Sequence, residues 1–85
     1  MELVFTKLAW SDYQFWAKTD RKKLQKINEI IREMQRTPFE GKGKPEPLRF
    51  DLAGFWSRRI DHEHRIVYQV GESQIRIISC RHHYN

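Results

Sequence analysis

Cysteine is nearly missing: one residue, Cys80, in a chain of 85. No disulfide can close within such a chain, which excludes a disulfide-stapled scaffold. Long apolar runs are missing too, since nothing approaches the roughly 20 residues that a membrane-spanning helix needs. The opening Met1-Glu2-Leu3-Val4-Phe5-Thr6-Lys7 has neither the charged n-region nor the apolar h-region of a secretory signal. The expectation is a cytoplasmic protein with no membrane partner. No internal repeat or low-complexity tract appears, so a solenoid or a disordered tail is not expected. Acidic charge is the scarcer sign: eleven Asp and Glu stand against sixteen Lys and Arg, a formal net charge of +5. That balance favours polyanionic partners without saying which. At this length one small domain with a limited core, spanning residues 1–85, is expected.

Proline and glycine are sparse, three and four residues, but not evenly spread. All three prolines and two glycines fall between Pro38 and Pro47, marking a loop in which function concentrates. Before it, Leu3-Val4-Phe5 reads as a short strand, and Ala9, Tyr13, Trp16 and Ala17 recur at helical spacing. A longer amphipathic helix follows from Asp20: Leu24, Ile27, Ile30, Ile31 and Met34 form one stripe, with Thr19 or Asp20 as its cap and Thr37-Pro38 as its stop. After the loop come three β-prone stretches, 55–60, 64–70 and 74–82, read as an antiparallel meander.

Alternation sorts the residues of these strands. A first turn centred near His62 sets Arg59 opposite Arg65. It gathers Trp56, Ile60, Ile66, Tyr68 and Val70 on the core face, and Ser57, Arg59, Arg65 and Gln69 on the other. A second turn centred on Glu72 would bring His83 to that second face, although the apolar pairs Ile75 with Ile77 and Ile78 with Cys80 disagree about parity. Two guanidiniums on one face repel unless something neutralises them. Either Asp61 or Glu63 does so, or a phosphate sits between them and is held by bidentate forks.

Glu46 leaves a backbone stiffened by Pro45 and Pro47, near Lys42 and Lys44. It is either a solvated surface acid or a general base for a sugar hydroxyl, with the lysines attracting the substrate. His83 is the matching candidate acid, because nearby phosphates favour its charged form. Tyr84 can orient it or stack on a base. Cys80, His62, His64, His82 and His83 are metal-ligand types, but no paired spacing accompanies them, so neither metal nor other cofactor is expected. The competing class is a non-catalytic basic module that binds RNA or an acidic protein.

Thr37-Pro38-Phe39-Glu40-Gly41-Lys42-Gly43-Lys44-Pro45-Glu46-Pro47-Leu48, Gly54-Phe55-Trp56-Ser57-Arg58-Arg59-Ile60, Glu63-His64-Arg65 and Cys80-Arg81-x-His83-Tyr84 together resemble the Txe/YoeB family of toxins, over nearly the whole chain. The resemblance implies an α+β, RelE-like microbial ribonuclease fold, with two N-terminal helices packed on a small antiparallel sheet. It implies a toxin of a type II toxin-antitoxin system that cleaves mRNA on the ribosome without a metal. By that likeness Glu46 is the general base toward the 2′-hydroxyl, His83 the general acid, and Arg65 with Arg59 the phosphate stabilisers, while Tyr84, Arg49 and Lys44 help to place the substrate. The partners implied are an acidic antitoxin of YefM/Axe type, the ribosome with mRNA in its A site, and operator DNA only as the toxin-antitoxin complex; a homodimer is left open. Relatives tend to end at the tyrosine and to carry tyrosine at His82 and lysine at Arg49. Asn85 therefore moves the terminal carboxylate outward by one residue.

Overall fold

A computed structural model describes residues 1–82; His83, Tyr84 and Asn85 lie outside the described residues. The chain runs β1 (Glu2–Phe5), α1 (Lys7–Thr19), α2 (Arg21–Arg36), β2 (Glu46–Pro47), a 3₁₀ turn (Phe50–Leu52), β3 (Trp56–Arg59), β4 (Arg65–Val70) and β5 (Gln74–Ser79). Thr6 starts α1: its hydroxyl accepts from the Ala9 N–H at 3.0 Å and donates to the Ile78 carbonyl at 2.8 Å, tying the helix start to β5. Of the two cap candidates for α2, Asp20 serves, accepting from the Lys23 N–H at 3.1 Å. Its own N–H closes α1 on the Trp16 carbonyl, so one extended residue joins the two helices. Among the described residues no helix is long and apolar enough to cross a membrane.

The strands form one sheet in the order β1-β5-β4-β3-β2. The meander of β3, β4 and β5 is antiparallel, as expected; β2, within the stretch read as loop, adds to β3 antiparallel, and β1 adds to β5 in parallel, which makes the whole sheet mixed. Both helices cover one face. Ala9 and Trp16 of α1 and Ile27, Ile30, Ile31 and Met34 of α2 pack there against Ile60, Ile66, Tyr68, Ile75, Ile77 and Cys80. Full burial of one such aliphatic side chain contributes about 1.5–3 kcal/mol, so this layer supplies most of what holds the small fold together.

The first turn is as the alternation predicts, with Arg59 opposite Arg65. The second is not centred on Glu72. Val70 pairs with Ile75, which sets the centre between Glu72 and Ser73, and a bulge then intervenes: Tyr68 meets Ile77 but Val67 meets Ser79, leaving Ile78 as the extra residue. The bulge reverses the parity of β5 partway along, so Ile75, Ile77 and Cys80 all reach the core. This is the reason for the two conflicting apolar pairs. The strand ends at Ser79 rather than at His82. Beyond the bulge odd residues oppose odd ones, Val67 with Ser79, the parity that a turn centred on Glu72 implies, but the strand stops short of His83, which lies outside the described residues.

Candidate active site

Residues directly opposed in an antiparallel ladder share a face. Glu46 opposes Ser57, Ser57 opposes Val67, and Val67 opposes Ser79, so these four form one row across the sheet. Arg59 and Arg65 form the next row on the same face, two residues along each strand or about 7 Å away. Glu46, Arg59 and Arg65 thus meet on the face that the helices leave open. Arg65 is half-buried and steadied: one of its Nη atoms donates to the Asp61 carbonyl at 2.9 Å and to the His64 carbonyl at 3.2 Å. Arg59 is exposed, with its backbone N–H on the Gly43 carbonyl at 2.7 Å.

Of the two carboxylates that could have neutralised this pair, Asp61 is engaged elsewhere. Asp61 is bonded to Lys23 of α2 and also accepts from the backbone N–H groups of Glu63 and His64. Burial opposes its ionisation, but Lys23 and the two N–H groups win and hold the carboxyl well below the usual range. Glu63 lies beside His64, 3.6 Å from Nε2. Among the described residues, neither Arg59 nor Arg65 enters an ion pair, and the anion reading of the two arginines gains accordingly.

Glu46 does not sit in an open loop: with Pro47 it forms β2, paired to β3. What holds the preceding residues in place is Arg58, which alternation assigns to the core face between Trp56 and Ile60 and which the sequence reading passed over. Its side chain is fully buried. Nε donates to the Tyr68 hydroxyl at 3.1 Å, one Nη to the Lys42 carbonyl at 3.0 Å, and the other to the carbonyls of Thr37 and Glu40. The Tyr68 hydroxyl in turn donates to the Pro38 carbonyl at 2.8 Å, and Phe39 packs on Trp56 with ring centroids 4.8 Å apart. A buried cation satisfied by carbonyls thus fixes residues 37–42, so that Glu46 leaves a defined backbone. Lys42 pairs with Glu29 at 3.2 Å, whereas Lys44 is exposed in the left-handed region at φ 51. Beyond Glu46 a groove of about 420 Å³ is lined by residues 46–52, including Arg49, which is exposed.

His83 and Tyr84 lie outside the described residues, but the segment leading to them is tightly anchored. Trp16 Nε1 donates to the Cys80 carbonyl at 2.8 Å, and the Cys80 N–H donates to Asp12 Oδ2 at 3.0 Å. The Arg81 guanidinium stacks 3.6 Å above the Phe15 ring. The His82 N–H donates to Nδ1 of buried His64 at 2.8 Å, which leaves the His64 ring proton on Nε2. The His82 carbonyl accepts from the Arg65 N–H at 3.0 Å. His64, weighed from sequence only as a metal ligand, is a buried anchor packed edge-on against Trp16 at 4.8 Å. Alternation could have found it, because His64 precedes Arg65 and so takes the opposite, inward side. Burial, and next the Asp12 carboxylate, push the Cys80 thiol up to about 12, leaving it a protonated core group. Among the described residues no three His, Cys, Asp or Glu side chains gather closely enough to hold a metal ion.

Residues 5–84 match the family described as the YoeB-like toxin of bacterial type II toxin-antitoxin systems. The chain is 55% identical over 84 residues to the toxin YoeB of Escherichia coli O6:H1, covering 99% of this chain and 100% of the relative. Among solved structures it resembles the toxin in the heterotetrameric YoeB-YefM toxin-antitoxin complex of Staphylococcus aureus, with a TM-score of 0.90, 44% identity, and 99% and 98% of the two chains covered. It also resembles a chain of the toxin-antitoxin complex RelBE2 of Mycobacterium tuberculosis, with a TM-score of 0.75, 25% identity and 96% of each chain covered.

Proposed function

The chain belongs to the family of YoeB-like toxins of type II toxin-antitoxin systems, with a RelE-like α+β fold, and on that premise we propose that it is a metal-independent endoribonuclease that cuts mRNA in the ribosomal A site. Glu46 takes the proton of a 2′-hydroxyl, and the freed oxygen attacks the adjacent phosphorus. Arg59 and Arg65 stabilise the charge that builds on the phosphate oxygens. The bond to the 5′-oxygen breaks, His83 supplies the proton that this oxygen needs, and the products are a 2′,3′-cyclic phosphate and a 5′-hydroxyl. Arg49, Lys44 and Tyr84 place the RNA. The observation that carries this reading is the shared open face: a carboxylate one row from two arginines on the same side of the sheet, which no ion pair among the described residues neutralises.

The partner in this reading is an acidic antitoxin, in the place that YefM takes in the Staphylococcus aureus toxin-antitoxin complex, laid over the same basic face; together they bind operator DNA. Mapping mRNA 3′ ends in a purified translation reaction tests the activity. Cleavage is expected with the wild-type protein, and a fall of about 10²–10⁴ in rate with Glu46→Ala and with His83→Ala, at unchanged melting temperature. Intact mRNA with the wild-type protein would overturn the reading. Binding to the ribosome without cleavage would point to a non-catalytic basic module instead.

A further inference from the structure

Phe50 is the most exposed large apolar side chain among the described residues, with 92% of its surface open. Its backbone also sits in the left-handed region, at φ 57, which side chains of this bulk rarely adopt. A loose loop is not the cause. The Leu52 N–H donates to the Arg49 carbonyl at 3.0 Å, the Ala53 N–H to the Phe50 carbonyl at 3.0 Å, the Phe55 N–H to the Leu52 carbonyl at 3.1 Å, and the Leu48 N–H to the Phe55 carbonyl at 2.9 Å. An ordered turn therefore holds an aromatic ring out in water, in an unfavourable backbone conformation. The same ring lines the groove that begins at Glu46 and includes Arg49.

We propose that Phe50 is the stacking platform for a nucleobase of the RNA beside the scissile phosphate. This rests on the ribonuclease reading and extends it to the substrate's bases. Phe50 follows Glu46 by four residue steps, so their Cα atoms lie at most about 14 Å apart. The base that meets the ring is then no more than a few nucleotides from the phosphate that Glu46 serves. Arg49, adjacent in sequence, meets the backbone phosphate of that nucleotide. The groove places an exposed π-face, Phe50, beside a cation, Arg49, the pairing that a base and its neighbouring phosphate ask for. Because every base has a π-face, such a platform contributes rate at many codons while favouring those whose bases stack best.

The test uses the intact protein with mRNA-programmed ribosomes, measuring kcat/KM and mapping 3′ ends, with the melting temperature of each variant. Phe50→Ala and Phe50→Gly are expected to lower kcat/KM by roughly tenfold or more and to redistribute the cut positions, while Phe50→Trp stays near the wild type. Phe50→Gly also removes the left-handed strain, so it should melt at or above the wild-type temperature while cutting less. A ring needed only for folding predicts a lower melting temperature for both truncations, and that result would overturn the proposal. Wild-type cleavage by Phe50→Ala would overturn it too. Unchanged cleavage with weakened binding of an antitoxin peptide would assign the ring to the protein partner instead. Failure of the wild-type protein to cleave at all would remove the ribonuclease reading itself, an outcome distinct from every variant effect.

Discussion

Arg58 and Arg59 are neighbours in sequence with opposite assignments, because a strand sends successive side chains to opposite faces. Arg58 goes inward and is satisfied by one hydroxyl and three backbone carbonyls. Removing it takes the donor from those loop carbonyls and leaves a cavity where a fully buried side chain stood, so Arg58→Ala is expected to lower the unfolding free energy by about 3–5 kcal/mol in a urea melt. Arg59→Ala, at an exposed position, should stay within about 0.5 kcal/mol of the wild type and instead lower mRNA cleavage. Alternation made Arg59 and Arg65 legible as a facing pair on the open side. The same alternation, followed strictly, assigns Arg58 and His64 to the interior. Charge hid the first and metal-ligand chemistry the second, since composition alone gives no hint that loop carbonyls and a backbone N–H will satisfy them.

Among the elements, the β3–β4 turn and the loop before β2 decide how the open face is presented. Lys23 of α2 reaches the turn through Asp61, whose carboxyl is held well below the usual range. A depressed carboxyl stabilises the fold fully above the unfolded value of about 3.9. That contribution is lost as pH falls below it, so Asp61→Asn should flatten the acid limb of a plot of urea midpoint against pH. In the loop, Gly43 stands at φ 90, and a Cβ there would come within 3.0 Å of Arg58 Cβ and 3.1 Å of the Arg59 carbonyl oxygen. Gly43→Ala is therefore expected to cost about 1–3 kcal/mol, read from the same melts, through backbone that cannot give way. Sequence marked this loop by its prolines and glycines but not β2 within it, because a two-residue strand has no periodicity to read. The bulge at Ile78 was visible only as a disagreement between two apolar pairs, and its position depends on how β5 packs under the helices.

For the molecule as a whole, +5 of net charge on 85 residues is a long-range property that local structure does not alter. Binding to the ribosome is expected to weaken about tenfold or more between about 50 and 200 mM salt, measured by sedimentation or filter binding, as displaced counterions require. The fold class was legible because its motifs cluster where the chain makes its turns and its open face. The placement of β1 was not, since nothing within Glu2–Phe5 says which strand it will join. Among the described residues its strand partner is β5, about seventy residues later in sequence. That pairing sets an order in time. During synthesis β1, α1 and α2 emerge before the strand that anchors them, and the apolar stripe of α2 has no sheet to cover until β4 and β5 arrive. The face that carries Glu46, Arg59 and Arg65 is therefore among the last features to form, and a partly made toxin has no assembled site.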